Sequence, residues 1–307
     1  MKLRAELLKK LRAFFEARDV LEVDTPALSH TGSTDRHLAS FRVEHPHGNS
    51  LFLHTSPEFP MKRLLAAGVG DIYQVCKVFR AGEAGRLHNP EFTMIEWYRL
   101  GFDHHRLMRE VADLIAALMP VPLASSEYLS YRTAFRQFAG FDPFAADKKT
   151  CMRALQSDGG ALPAEDDLDF DGWLDLVAAN LVYPRLGLSR LTFIYDYPAS
   201  QAALARIRPE HPPVAERFEA FLSGIELANG FHELADADEQ RLRFESDRAY
   251  RREYALPDMP TDENLLAALA HGLPECAGVA LGFDRLVMLA AKAASIDEVI
   301  SFPFDRA

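Results

Sequence analysis

From residue 78 to residue 100 the chain reads V-F-R-A-G-E-A-G-R-L-H-N-P-E-F-T-M-I-E-W-Y-R-L, a run suited to gripping a phosphate and a purine. Arg80 presents a planar fork of donors that matches a phosphate, and the loop from Gly82 to Gly85 lets backbone approach a ligand closely. His88 and Asn89 follow a loop of fixed length, and Phe92 offers an aromatic face for a base. Farther on, Glu219, Glu226 and Glu233 recur seven residues apart, with Asn229 and Phe231 between the last two. A seven-residue repeat fits three carboxylates on one helix surface. Gly224 and Asn229-Gly230 favour the other reading, two strands joined by a tight turn. Near the end, small residues from Gly278 to Gly282 lead into an apolar helix. Arg285 at that junction places positive charge where a ligand can come close.

Periodicity supplies the elements that must position these groups. An amphipathic helix is expected over 3–18, strands over 51–54, 71–79 and 91–100, and a helix over 104–118. Within 91–100 one face carries Glu91, Thr93, Ile95, Trp97 and Arg99, the other Phe92, Met94, Glu96, Tyr98 and Leu100. The stretch 124–207 differs in texture. It holds an acidic, glycine-containing segment at 157–171 and helical patches at 133–138 and 173–180, and reads as an insertion packed on the sheet. Strand texture resumes over 216–234, and 237–254 and 263–271 read as helices. No repeat or low-complexity tract interrupts the pattern.

With 307 residues and 48% hydrophobic content the chain can bury one large core, and its charged fraction of 26% argues against disorder. No apolar run is long enough to span a bilayer, and the first residues, Met1-Lys2-Leu3-Arg4-Ala5-Glu6, lack the core of a signal peptide. A cytoplasmic protein with no membrane partner is expected. Cys76, Cys151 and Cys276 lie far apart without metal-ligand spacing, which fits buried thiols in a reducing compartment. The net charge of −11 speaks against a long grip on nucleic acid, because phosphate affinity comes from lysine and arginine.

The segment from Arg80 to Glu96, with its R-x-H-N-P-E-F-T-M-x-E form, resembles motif 2 of the class II aminoacyl-tRNA synthetases in their lysyl branch. G-V-A-L-G-F-D-R-L-V-M-L from Gly278 resembles motif 3, and F-F-E-A-R-D-V-L-E-V-D-T-P from Phe14 resembles motif 1, a helix and strand that form the dimer interface in that class. The three occur in the family's order over essentially the whole chain. The resemblance implies an α+β fold: a class II synthetase catalytic domain with an antiparallel sheet flanked by helices, acting as a homodimer. It is expected to be a single domain over 1–307 with an insertion at about 124–207 between motifs 2 and 3. It implies ATP and Mg²⁺, with Arg80, His88, Asn89, Phe92 and Arg285 on the nucleotide and Glu219 and Glu226 on the metal. Lysyl synthetases read F-R-N-E where this chain reads Phe79-Arg80-Ala81-Gly82-Glu83, so the nucleotide-contacting glutamate is carried over to Glu83, one residue later.

By the same resemblance, Glu58, Glu96, Tyr98, Asn229 and Glu233 face the amino-acid substrate. Three carboxylates suit a substrate with two ammonium groups, so lysine or a lysine isomer is favoured. Two positions depart from the synthetases: Ser56 stands where alanine is usual, and Ala280 where glycine is usual. The added methyl at Ala280 disfavours a substituent on the substrate's α-carbon. The chain starts directly with the motif 1 helix, so no anticodon-binding domain and no tRNA are expected. With these features it looks like the elongation factor P lysine ligases, truncated paralogues of lysyl-tRNA synthetase. Those enzymes activate (R)-β-lysine and join it to a lysine of elongation factor P. The competing readings are a lysine-charging enzyme that borrows an anticodon domain, an ammonia-dependent asparagine synthetase, whose aspartate these carboxylates would repel, and a non-catalytic regulatory paralogue, in which the ATP residues would be eroded.

Overall fold

The computed structural model describes residues 1–44, 48, 50–156 and 162–307; the part of the acidic segment at 157–161 lies outside the described residues. In chain order the elements begin with α1 (Lys2–Glu16), β1 (Leu21–Glu22), β2 (Leu28–Ser29), β3 (Arg42–Glu44), β4 (Ser50–Leu53), α2 (Glu58–Ala66), β5 (Ile72–Phe79), β6 (Glu91–Leu100) and α3 (His104–Leu118). Next come β7 (Glu127–Ser130), α4 (Tyr131–Phe138), α5 (Lys148–Gln156), α6 (Phe170–Val177), β8 (Thr192–Pro198), β9 (Ile207–Arg208), β10 (Val214–Leu222) and β11 (Ile225–His232). The last are α7 (Ala237–Glu253), α8 (Glu263–Gly272), β12 (Cys276–Gly282) and α9 (Phe283–Ala291). The protein is α+β, and its chain forms two compact units, Met1–Pro120 with Glu233–Ala307, and Val121–His232.

In the first unit the strands run β1, β5, β6, β12. β6 lies between β5 and β12 and is antiparallel to both, while β1 joins β5 in parallel. Helix α1 buries Leu7, Leu11, Phe14 and Phe15, the three-and-four spacing of a helix with one apolar stripe. Phe15 stacks on Tyr73 of β5 at 4.2 Å between centroids and meets Trp97 of β6 edge-on at 5.4 Å. Asp103 caps α3 by accepting from the Arg106 N–H, and Leu107, Val111, Leu114 and Leu118 fill the helix's inner stripe. The middle of β6, residues 93–98, is buried on both faces. Trp97 lies toward α1, so strand alternation puts Glu96 and Tyr98 on the opposite side. That is how a glutamate comes to be buried inside an apolar strand.

The second unit runs β11, β10, β8, β7, with β9 also on β10. The hairpin of β10 and β11 makes 219–232 strand and turn rather than helix. Ser223 and Gly224 turn it with φ of 56° and 71°, the two positive values a two-residue turn of this kind needs. Asn229-Gly230 lies inside β11, paired with Glu219 and Phe218, and takes no part in the turn. Two strands inside 124–207 escaped the periodicity. β8 reads T-F-I-Y-D-Y-P without a clean alternation, since most of it is buried on both faces, and it is a full partner of β10. Trp173, Tyr131, Phe135, Tyr197 and Leu181 belong to this unit's core. Among the described residues no helix is long and apolar enough to cross a membrane.

Candidate functional site

One group of side chains gathers where α2, β6, β12 and Glu233 meet. Ser56, just before α2, accepts from the Glu58 N–H at 2.9 Å and donates to Glu96 Oε2 at 2.7 Å. Tyr98 donates its hydroxyl to Glu96 Oε1 at 2.6 Å. One helical turn beyond Glu58 stands Lys62, with its ammonium 2.6 Å from Glu58 Oε1 and 2.6 Å from Glu233 Oε2. Lys62 was not singled out in the sequence, although its spacing from Glu58 is that of a helical ion pair.

The register explains the gathering. Gln74, Glu96 and Ala280 lie abreast on β5, β6 and β12, as do Ile72, Tyr98 and Gly278 two residues along. Glycine at 278 is required by close approach: a Cβ there would lie 2.3 Å from the Tyr98 ring and 2.4 Å from Glu233 Oε1. Burial, with Glu58 and Glu233 nearby, pushes Glu96 up to about 8 even though the two hydroxyls act against it. Burial alone would lower the Lys62 ammonium, but Glu233 and Glu58 together hold it above the ordinary lysine range.

A second group joins the segment after β5 to the start of α9. The Arg80 guanidinium lies over the Phe92 ring at 5.1 Å and reaches Glu83 at 3.7 Å; its buried Nε has no hydrogen-bond partner among the described residues. Arg285 donates to His88 Nε2 at 2.7 Å and to the Leu87 carbonyl at 3.3 Å, so residues almost two hundred positions apart form one cationic corner. Asn89 works within the protein on both sides of its amide. It donates to the Glu91 carbonyl at 2.6 Å and accepts from the Phe304 N–H at 3.0 Å. Asp284, beside Arg285, is buried; it accepts from the Thr93 N–H at 2.7 Å and from Arg4 of α1. One carboxylate thus ties the start of α9 to β6 and to α1.

The third group belongs to the second unit. Glu219 on β10 stands opposite Asn229 on β11, and Glu226 opposite Phe221. Arg217 donates to Glu219, to Asn229 Oδ1 at 3.3 Å and to the Gln201 carbonyl at 3.0 Å, and lies over the Tyr197 ring. Burial pushes Glu219 up to about 7, with Arg217 opposing and Glu226 adding to the rise. Two neighbouring carboxylates are a donor set that fits a hard divalent cation such as Mg²⁺.

The sequence matches the class II tRNA synthetases (D, K and N) over residues 1–306, and the chain belongs to that family. A Vibrio cholerae protein named elongation factor P–(R)-β-lysine ligase is 50% identical, the match covering 100% of this chain and 96% of that one. Proteins of the same name from Klebsiella pneumoniae, at 51%, and Haemophilus influenzae, at 49%, each match 99% of this chain and 94% of their own length.

Proposed function

We propose that this protein is a ligase that activates (R)-β-lysine with ATP and transfers it to the ε-amino group of a lysine of elongation factor P. The observation that carries the reading is the convergence of its two departures from the synthetase pattern on one buried acid. Ser56 hydrogen-bonds Glu96, and Ala280 lies abreast of Glu96 in the neighbouring strand. Both changes therefore act where an amino acid's ammonium would be received. The names and near-full-length identity of the relatives support the same assignment.

In this reading Glu58, Glu96, Tyr98, Asn229 and Glu233 receive the amino acid, and Arg80, Glu83, His88, Phe92 and Arg285 receive ATP. Asn89 serves the nucleotide by fixing the loop that carries His88. Glu219 and Glu226 would hold Mg²⁺, which offsets phosphate charge when bound. The β-lysine carboxylate attacks the α-phosphorus and the bond to pyrophosphate breaks, giving an acyl-adenylate while Arg80 and Arg285 stabilise the charge that develops. The lysine amine then attacks the acyl carbon, AMP leaves, and the nitrogen gives up a proton. A lysine with pKa near ~10.4 is only about one part in a thousand neutral at pH 7, so this step requires desolvation or a proton acceptor.

The enzyme works in the cytoplasm, without tRNA, as a homodimer formed through the motif 1 segment. Exposed Leu21 and Leu28 support that interface. Sedimentation at micromolar concentration should give twice the chain mass, and a monomer there would remove the dimer from the proposal.

Ala280→Gly provides the sharpest test of substrate choice. Removing the methyl opens space for an α-amino group, so activation of α-lysine should rise relative to β-lysine by roughly tenfold or more, as one methyl in a pocket is worth about 1–3 kcal/mol. Pyrophosphate exchange with each isomer measures the ratio. An unchanged ratio would place β-selectivity elsewhere and reopen the lysine-charging alternative.

A further inference from the structure

Among the described residues Lys62 is the only buried lysine; the others are exposed or half-buried. Its side chain is 2% exposed, and a charge so placed is tolerated only when carboxylates hold it. Glu58 and Glu233 do so, each at 2.6 Å. Glu96, the third carboxylate of the cluster, is held instead by the hydroxyls of Ser56 and Tyr98. With every group ionised, three carboxylates and one ammonium leave two negative charges.

We propose that Lys62 is a specificity-determining residue of this pocket, an internal ammonium that cancels one of its three carboxylate charges and so matches the remaining two to a substrate carrying two ammonium groups. The inference rests on reading the cluster as the amino-acid pocket. A ligand with one ammonium leaves one of those charges unanswered. Without Lys62, a third carboxylate would stay unbalanced in a buried site even with a diamine bound, and would have to take up a proton.

The titratable groups facing the cluster are Glu58 from α2, Cys76 from β5, Tyr98 from β6, Cys276 from β12 and Glu233. Burial pushes both thiols and the phenol up, so they remain protonated near neutral pH. Burial pushes Glu96 up to about 8, so it takes up a proton more readily than an ordinary glutamate and would give it up to an arriving ammonium.

Calorimetry of β-lysine binding at neutral pH, in two buffers of different ionisation enthalpy, counts the protons released. Wild type should release about one, from Glu96. In Lys62→Met the cluster holds one more carboxylate charge than its cations cancel, so the count should differ from wild type by up to about one more. Affinity should fall roughly tenfold or more at neutral pH and recover as pH rises, because a ligand that expels protons binds better where they are scarce. Lys62→Arg, which keeps the charge, should keep the wild-type count. An unchanged count in Lys62→Met with affinity within about threefold of wild type overturns the proposal. Absence of β-lysine binding to wild type would instead reject the pocket itself. If Lys62→Met does not fold, wild type still decides: with ¹⁵N-labelled lysine, the buried ammonium should give a slowly exchanging signal that shifts on adding β-lysine. A signal indifferent to β-lysine overturns the inference.

Discussion

Arg285→Ala is expected to lower the rate of ATP–pyrophosphate exchange by about three orders of magnitude, close to 4 kcal/mol of transition-state stabilisation. The size follows from how the guanidinium is held. Its hydrogen bonds to His88 Nε2 and the Leu87 carbonyl fix the group before any ligand arrives, so little reorganisation accompanies charge development on the phosphates. The bond to His88 needs a lone pair on Nε2, which means a neutral ring, and the positive charge of the corner then belongs to the arginine. Arg285→Lys keeps a charge but loses the fork, and should recover only part of the loss. Exchange is the proper readout because it reports activation without the protein acceptor. A value for Arg285→Ala within tenfold of wild type would mean that Arg285 is a surface group capping its own loop.

The residues of this corner were legible in the sequence because each sits in a short motif whose spacing is fixed by backbone: a strand, a tight loop and a strand for Arg80 to Phe92, a strand and a helix start for Arg285. The hairpin that carries Glu219 and Glu226 was legible for a similar reason, since Gly224 marks the turn, though Asn229-Gly230 gave the same signal from inside a strand. Lys62 was not legible. Its meaning comes from Glu233, 171 residues away, and nothing local distinguishes it from a solvated lysine on the first turns of a helix. Its presence also revises the charge count in the proposed amino-acid pocket from three unbalanced carboxylates to two, which still suits a diamine. β8 stayed hidden for a different physical reason: a strand covered on both faces has no alternation to read. Asn89 is the intermediate case. Its place in the motif was plain, but only the fold shows that its amide fastens the loop to the Phe304 backbone.

Asp284→Ala is expected to cost about 3–5 kcal/mol of folding stability, a large part of what a domain possesses. The carboxylate is 1% exposed and receives Arg4 from α1 on one oxygen and the Thr93 N–H from β6 on the other. Alanine would leave the buried Thr93 N–H without its acceptor and the largely buried Arg4 guanidinium without its carboxylate, with only the Thr93 hydroxyl still accepting from it, and both penalties fall on the folded state alone. Asp284→Asn keeps one oxygen acceptor at nearly the same shape. It should cost less, about 1–3 kcal/mol, chiefly through the weakened pairing with Arg4. Arg4→Met removes the other partner and tests the coupling. If Arg4 and Asp284 act through each other, the double variant Arg4→Met with Asp284→Ala should be less destabilised than the sum of the single changes. Urea unfolding of the four proteins gives the cycle. Additive costs would show that Asp284 acts through Thr93 alone, and a loss below about 1 kcal/mol for Asp284→Ala would show that neither bond matters to the fold. Because Asp284 directly precedes Arg285 at the start of α9, the folded fraction of Asp284→Asn should also show a weaker apparent affinity for ATP. That effect joins the stability of the strand-to-helix junction to the chemistry proposed for the next residue along the chain.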